Sequence, residues 1–242
     1  MPEQPVDIPV ITVDGPGGSG KGTIAMRLAE QLGWHFLDSG ALYRLVAVAA
    51  MDRNVSVDDE EALGKVARSL DVNFGISEEG MVVLLDGNYI TGRLRSESVS
   101  IFASRIAAFP VVRSALVVRQ RAFRKLPGLV ADGRDMGTVI LPDAKLKIFL
   151  TASAEARAER RYKQLKEKGE SVNLTRLFQD IKLRDERDST RAVSPLRPAE
   201  DAHVIDSTEL SINEVLQEIH VLLNKIGISC RYILVFSPLS NR

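Results

Sequence analysis

The chain has 242 residues, with 32 lysines and arginines against 32 aspartates and glutamates, and a single cysteine, Cys230. Balanced charge argues against non-specific binding to nucleic acid or to a membrane surface, and one cysteine excludes an internal disulfide. The first residues lack a basic stretch that leads into an apolar run, so we expect a cytoplasmic protein with neither nucleic-acid nor membrane partners. The length predicts one α/β domain with an insertion.

The first predicted strand, Val10–Val13, leads into GPGGSGKGT, which fits the phosphate-binding pattern G-x-x-x-x-G-K. Its glycines allow backbone N–H groups to converge on phosphate oxygens, and Lys21 brings an ammonium to the β- and γ-phosphates. A helix that opens at Gly20 points its positive end at the same place. The predicted ATP-binding residues are Gly15, Pro16, Gly17, Gly18, Ser19, Gly20, Lys21, Gly22 and Thr23.

Gly22 stands where most such loops carry the Ser or Thr that binds magnesium, and Thr23 comes one residue later. We therefore expect Mg²⁺ to be held mainly by ATP oxygens and water, with no firm protein ligand. Thr23 and Asp132 are candidate indirect partners of the metal. Asp14 is a candidate for orienting the acceptor, and either aspartate could instead cap a helix or accept loop hydrogen bonds.

Four more strands are predicted near 34–37, 129–131, 146–150 and 204–205, with helical patterns between most of them. This alternation predicts a three-layer P-loop fold around a five-stranded parallel sheet. Such sheets bind ligands at the carboxyl ends of their strands. The polar residues that follow the strands there are Asp14, Asp38, Ser39, Asp132, Arg134, Asp135, Thr151 and Asp206.

Two segments interrupt the alternation. Residues 66–106 read as an inserted subdomain, because Val72–Ile76 and Met81–Leu85 resemble the strands of a hairpin, and the core is then about 8–65 and 107–227. The second segment, about 154–170, contains a helix on which Arg157, Arg160 and Arg161 share one face. This face is either a solvated charged surface or a mobile lid, and we favour a lid that brings Arg157 and Arg161 to the transferring phosphate.

A helix predicted over 181–193 places Arg184, Asp188 and Arg191 along one stripe. Such a stripe can be a surface ion-pair ladder of little energetic weight. We favour an anion site, because Arg44, Arg113 and Arg134 add three guanidiniums near predicted element ends.

As a set, five stretches resemble the bacterial cytidylate kinases: ITVDGPGGSGKGT, LDSGALYR, AAFPVVR, LVADGRDMGTV and RDERDSTRAVSPL. The resemblance covers residues 8 to about 227 and implies phosphoryl transfer from ATP to CMP, and to dCMP. It implies that Arg44, Arg134 and Arg191 hold the acceptor phosphate. It further implies that Arg184 and Asp188 hold the ribose, and that the base is read by Ser104, Arg113 and Asp135.

The implied base-reading residues suit cytosine, because a carboxylate at Asp135 complements the N4 amino group and would repel O4 of uracil. Ser39 and Tyr43 are expected to shape the same pocket, although Tyr43 could equally be a core residue. Phosphoryl transfer needs in-line positioning and charge neutralisation, which we assign to Lys21, Mg²⁺ and the arginines.

Other functions fit less well. A GTPase would need an Asn-Lys-x-Asp motif, and Asn224-Lys225-Ile226-Gly227 lacks the aspartate. A nucleic-acid-dependent ATPase would show a basic groove or stacking aromatics, and a simple binding module leaves the arginines unexplained. The main alternative is a kinase for another monophosphate, such as UMP or AMP. We expect a monomer. The tail 228–242, with its apolar stretch Tyr232–Phe236, could be an extra strand, an oligomer contact or a disordered extension.

Overall fold

The computed structural model describes residues 7–77, 80–167 and 169–229. Its strands are β1 (Val10–Asp14), β2 (His35–Asp38), β3 (Val72–Ser77), β4 (Gly80–Leu85), β5 (Asn88–Tyr89), β6 (Leu129–Gly133), β7 (Leu146–Thr151) and β8 (His203–Asp206). Its α-helices are α1 (Lys21–Leu32), α2 (Ser39–Asp52), α3 (Glu60–Arg68), α4 (Glu97–Ile106), α5 (Pro110–Arg121), α6 (Ala154–Glu167), α7 (Leu174–Thr190) and α8 (Ile212–Lys225). The predicted tail from residue 230 onward, including Tyr232–Phe236, lies outside the described residues.

The central sheet has five strands in the order β2-β6-β1-β7-β8, and every neighbouring pair is parallel. Every residue of β1 and β6 is buried, as expected for central strands covered on both faces. The predicted parallel sheet is therefore confirmed. The second strand runs one residue later than predicted, over His35–Asp38 instead of Trp34–Leu37.

Two buried clusters lie on opposite faces of this sheet. On one face, Ile11 and Val13 of β1 pack with residues of α1 and α8. On the other face, Val10 belongs to the cluster formed largely by α2, α3, α4 and α5. Alternate residues of one strand thus serve separate cores, which gives the predicted three layers.

The inserted strands also lie where the sequence predicts them. Strands β3, β4 and β5 form an antiparallel sheet, and the hairpin apex at Glu78-Glu79 lies outside the described residues. Asp86 and Gly87 join β4 to β5 with φ values of 49° and 76°, the combination that a tight two-residue hairpin turn requires. The boundaries proposed for the insertion, 66–106, stay a prediction.

The helix predicted over 181–193 has different bounds, because α7 begins at Leu174 and ends at Thr190. The hydroxyls of Ser189 and Thr190 donate to the carbonyl of Glu186 within the last turn, and the backbone leaves the helix at Arg191, with φ −61° and ψ 140°. Arg191 therefore lies just past the helix end in an extended conformation, not on the helical stripe.

Within the described residues, no single helix combines the length and the apolar composition of a membrane span. Helices α4 and α5 meet those criteria only as a pair, and they are bent by 101° relative to each other.

Candidate active site

The carboxyl ends of the central strands form one edge of the sheet. In the strand register, Asp14 lies beside Gly133, and Asp38 lies beside Asp132. A cleft of about 290 Å³ opens at this edge. The polar residues predicted to follow β1, β2 and β6 therefore converge on a single concave surface.

Every residue predicted to bind the acceptor nucleotide lines this cleft: Ser39, Tyr43, Arg44, Ser104, Arg113, Arg134, Asp135, Arg184, Asp188 and Arg191. Of the predicted ATP-binding residues, Gly17, Gly18, Lys21 and Gly22 line it as well. The two predicted sites thus share one cavity.

The phosphate loop faces the guanidiniums directly. A Cβ on Gly17 would lie 3.4 Å from Nη2 of Arg134 and 3.7 Å from Nη1 of Arg184. Glycine at this position leaves the guanidiniums room beside the loop. A phosphate bound by the arginines would consequently lie next to a phosphate bound by the loop.

Lys21 is nearly buried at the start of α1, where its ammonium donates to the carbonyl of Pro16 over 3.4 Å. Burial, together with the positive charge of Arg134, lowers the pKa of Lys21 to about 8. A negatively charged ligand would reverse this effect, because it stabilises the ammonium.

Asp132 lies near the carboxyl end of β6, with its Oδ1 3.8 Å from Nζ of Lys21. Burial raises the pKa of Asp132 to about 6, although Lys21 opposes the rise. Its Oδ1 is buried without a hydrogen-bond partner. A Cβ on Gly22 would lie 3.1 Å from its Oδ2, so the carboxylate occupies space that a side chain at position 22 would need.

The cleft is positively charged although the chain is neutral overall. Among the described residues, six cationic and four carboxylate side chains line it, which leaves a formal excess of two positive charges. The carboxylates lie beside individual cations: Arg44 with Asp38 at 2.6 Å, Arg134 with Asp188 at 2.9 Å, Lys21 with Asp132 at 3.8 Å, and Arg113 with Asp135.

Arg184 and Arg191 have no carboxylate within ion-pair distance in the described part of the chain. Nε of Arg184 and Nη2 of Arg191 are buried without any acceptor, and Nε of Arg191 donates to the carbonyl of Ser194. Burial lowers the pKa of Arg184 to about 10 and also lowers the pKa of Arg191. Buried donors without acceptors are costly, so both groups are suited to receive acceptor oxygens of a ligand.

Asp188 shows the opposite effect. Burial alone would raise the pKa of this carboxyl, but the charges of Arg134 and Arg184 outweigh burial and hold its pKa below the usual range. Asp188 is therefore a carboxylate in the free protein, and Nε of Arg134 occupies only its Oδ2. Its other oxygen can accept a hydrogen bond.

The part of the cleft away from the phosphate loop is lined by neutral and paired groups. Arg113 and Asp135 form a buried ion pair with each other. Ser104 Oγ accepts from Arg187 over 3.0 Å, and Ser39 Oγ donates to Gln120 over 2.9 Å.

Tyr43 is buried and also lines the cleft, so packing and facing the cleft are not exclusive at this position. Its hydroxyl has no hydrogen-bond partner, and burial raises its pKa.

The predicted catalytic residues Arg157 and Arg161 lie outside the cleft lining, as do Gly15, Pro16, Ser19, Gly20 and Thr23 of the predicted ATP site. Arg157 is only 4% exposed, and its guanidinium makes two parallel bonds to Asp185 of α7, of 3.0 and 2.5 Å. Its donors are engaged by protein acceptors, so the interpretation as a solvated surface is wrong for this residue. A role for Arg157 on the transferring phosphate stays a prediction that requires this ion pair to break. Arg161 does not line the cleft either.

Asp14 accepts hydrogen bonds from the backbone N–H groups of Met136 and Gly137, at 2.9 and 2.8 Å. Burial raises its pKa to about 7, against these two hydrogen bonds. Met136 and Gly137 begin a short π-helix, Met136–Ile140, so among the interpretations left open for Asp14 the structure provides a hydrogen-bond acceptor at a helix N-terminus.

Sequence reasoning assigned no role to Gln120, Arg187 or Asp185, which contact the predicted site residues Ser39, Ser104 and Arg157. Arg187 and Asp185 are adjacent in sequence to the stripe of α7, so the helical spacing could have suggested them. Gln120 is wholly buried on α5 and belongs to no recognisable pattern, so only the fold brings it to Ser39.

A phosphate loop at the carboxyl edge of a five-stranded parallel sheet, facing a group of guanidiniums, defines a P-loop phosphotransferase. The family model described as cytidylate kinase matches residues 11–225. The cytidylate kinase of Stutzerimonas stutzeri (strain A1501) is 62% identical over 214 residues, which span 88% of this chain and 93% of that protein. The cytidylate kinase of Klebsiella pneumoniae (strain 342) is 58% identical over 88% of this chain and 93% of that protein.

Among solved structures, a shikimate kinase from Acinetobacter baumannii in complex with shikimate aligns with 92% of this chain and 96% of its own. It does so at 18% identity and a TM-score of 0.41. On the family match and the sequence identities, the chain belongs to the cytidylate kinase family.

The lowered pKa of Lys21 predicts how nucleotide affinity depends on pH. ADP binds the protonated lysine, and the free protein loses this proton near pH 8, so ADP affinity should fall about tenfold between pH 7 and pH 9. Isothermal titration calorimetry in two buffers of different ionisation enthalpy should show proton uptake on binding. The Lys21→Gln variant should bind weakly and without this pH dependence; an equal dependence in that variant would contradict the assignment.

The contact between position 22 and Asp132 predicts a coupling between them. Gly22→Ala should cost about 1 kcal/mol of unfolding free energy, because its Cβ lies 3.1 Å from the carboxylate. In an Asp132→Ala background the same change should be neutral or stabilising, since alanine is the better helix former. Urea denaturation of the four proteins measures the coupling, and additive effects would rule it out.

Proposed function

We propose that this protein transfers the γ-phosphoryl group of ATP to CMP and releases ADP and CDP. The observation that carries the proposal is that two arginines without a carboxylate partner among the described residues, Arg184 and Arg191, hold buried donor nitrogens without acceptors in a cleft shared with the phosphate loop. A nucleoside monophosphate carries a charge of about −1.5 to −2 at neutral pH. This charge matches the formal excess of two positive charges in the cleft.

Catalysis consists of positioning and electrostatics. Two polyanions repel each other, so the acceptor oxygen reaches the γ-phosphorus only if cations lie between and around them. Lys21 and the loop N–H groups hold the ATP phosphates, while Arg44, Arg134 and Arg191 hold the acceptor phosphate. Arg134 lies closest to both, because its Nη2 is 3.4 Å from a Cβ position on Gly17. No covalent intermediate on the protein is required.

The remaining cleft residues select the nucleoside. Arg184 and the free oxygen of Asp188 bind the ribose. Ser39 and Tyr43 shape the pocket around the pyrimidine. Ser104, Arg113 and Asp135 read the base. The Arg113–Asp135 pair supports this role, because it holds a carboxylate at a fixed position where the N4 amino group of cytosine can donate to it.

A kinase that uses ATP implies a divalent metal, and we propose Mg²⁺. Within the described residues, no group of three or more histidine, cysteine or carboxylate side chains could form a metal cage. The buried, unpartnered Oδ1 of Asp132 is a hard oxygen donor of the kind that Mg²⁺ accepts. Mg²⁺ bound chiefly by nucleotide oxygens and water, with Asp132 and Thr23 as further contacts, fits these residues. When bound, it neutralises charge on the phosphate oxygens.

We further propose that dCMP is an acceptor, and that the enzyme acts as a cytoplasmic monomer. The kinase domain would span 1–227, with an insertion near 66–106 that serves the acceptor nucleotide and a lid near 154–170.

Asp135→Asn should reduce the preference for CMP over UMP. The ratio of kcat/KM for the two acceptors should fall about tenfold, because the amide can donate to O4 of uracil where the carboxylate repelled it. A coupled ADP-release assay measures both acceptors on one preparation, so any loss of folded protein cancels in the ratio. Asp188→Asn is the matched control, in which kcat/KM for CMP and kcat/KM for UMP should fall together. An unchanged ratio would exclude Asp135 as the N4 acceptor.

Arg191→Ala should reduce kcat/KM for CMP by about 10- to 100-fold, the loss of one charge-assisted contact to phosphate. Its melting temperature should change little, because the lost guanidinium has no ion-pair partner to leave behind. Arg176→Ala, on the exposed side of α7, serves as the control for both measurements. A large loss of stability with normal turnover would instead indicate a structural arginine.

A further inference from the structure

Two arginines predicted to belong to a mobile charged face contact the outside of the phosphate loop. Nη1 of Arg157 donates to the carbonyl of Gly17 over 3.1 Å, and its Nε donates to the carbonyl of Ala152 over 2.9 Å. The Cβ of Arg157 lies 3.1 Å from a Cβ position on Gly18, so the arginine is packed directly against the loop. Yet it does not line the cleft that Gly17 and Gly18 line.

A second carbonyl of the loop is held in the same way. Ser207 Oγ lies 3.0 Å from the carbonyl oxygens of both Ser19 and Thr151, between which its one proton is shared, and Nη1 of Arg160 approaches the Ser19 oxygen at 3.4 Å. Arg160 is itself bonded to the hydroxyl of Ser207 over 3.2 Å. We call Arg157, Arg160 and Ser207 the outer clamp.

The outer clamp acts through the geometry of the peptide unit. In a planar trans peptide, the carbonyl of one residue and the N–H of the next point in opposite directions. A Gly17 carbonyl held on the outer side therefore turns the N–H of Gly18 towards the cleft. The carbonyl of Ser19 does the same for the N–H of Gly20.

From these contacts we infer that the outer clamp positions the N–H groups of the phosphate loop for the nucleotide. Arg157 is then a positioning residue that acts through the loop backbone and does not touch the transferring phosphate. A guanidinium bonded to a carbonyl also polarises that peptide and makes its N–H a stronger donor. The inference rests on the proposed function, because it assigns the loop to ATP and ADP.

The Arg157–Asp185 ion pair fixes the clamp. Asp185 holds both terminal nitrogens of the guanidinium and is 28% exposed at its side chain, so it retains some contact with water. Removing Asp185 releases Arg157 without burying an unpaired carboxylate. Substitution of Asp185 therefore distinguishes two roles for Arg157. Positioning of the loop requires that Asp185 holds the arginine in place, whereas direct contact with the phosphate requires that the arginine is released.

The experiment measures ADP affinity by calorimetry without CMP, and CMP affinity without ADP. Asp185→Ala and Arg157→Gln should each weaken ADP binding about tenfold, the loss of one charge-assisted contact, while CMP affinity changes less than twofold. Arg157→Lys should restore part of the ADP affinity, because an ammonium can still donate to the Gly17 carbonyl. Asp180→Asn on α7 and Lys163→Gln on α6, both exposed, are matched controls with unchanged affinities.

The outcomes separate the competing explanations. Unchanged or tighter ADP binding in Asp185→Ala would overturn the inference and favour a free Arg157 on the phosphate. Equal losses of ADP and CMP affinity would also overturn it, since they indicate a general structural role. If Arg157→Gln does not fold, Asp185→Ala alone decides. Lys21→Gln tests the proposed function separately, because normal ADP affinity in that variant would remove the loop as the nucleotide site.

Discussion

Ion pairs that exist before any substrate binds allow so many cations to share one buried cleft. Six unpaired cations in a cleft of about 290 Å³ would repel each other and lose most of their hydration. Carboxylates at or just after the ends of β2 and β6 and on α7 compensate four of them, and two guanidiniums are left for a ligand. A substrate dianion then compensates the remaining charge only, so its binding energy depends on a few well-placed contacts and not on neutralising a whole basic surface. The balance of charge in the cleft explains how a neutral chain can bind two polyanionic nucleotides.

Much of the fold and most of the cleft follow from the sequence, because both depend on short-range rules. Alternating strands and helices predict a parallel sheet, and a parallel sheet brings the ends of distant strands to one edge. Residues as far apart in the chain as Asp38, Arg134 and Asp14 are therefore expected near each other without further information. The end of α7 could not be predicted, because no glycine or proline directly follows Thr190, and the nearest proline, Pro195, lies five residues beyond it. Arg191 lines the cleft even so, from an extended position that helical spacing does not describe.

The sequence does not show which acceptor each charged side chain contacts. The spacing of Arg157, Arg160 and Arg161 correctly indicates a shared helix face, but it cannot say which acceptors that face meets. The packing of α6 against α7 supplies Asp185 for Arg157, and the turn after β8 supplies Ser207 for Arg160. Gln120 is a similar case, because it contacts Ser39 from the distant helix α5. The contacts of charged residues on an amphipathic helix can therefore be assigned only when the surface that packs against the helix is known.

Helix α7 joins the two proposed nucleotide sites through a single turn. Arg184 and Asp188 line the cleft, whereas Asp185 between them holds the outer clamp through Arg157. Because these residues lie within one turn of a continuous helix, α7 cannot shift without changing both the acceptor contacts and the backbone of the phosphate loop. A lid that moves as a whole would have to break the Arg157–Asp185 pair at each turnover. Motion that leaves this pair intact is confined to the far ends of α6 and α7, where residues such as Lys163 and Arg176 are exposed. The predicted lid and the outer clamp are therefore compatible if the fixed part ends near Arg161 and the moving part begins beyond it.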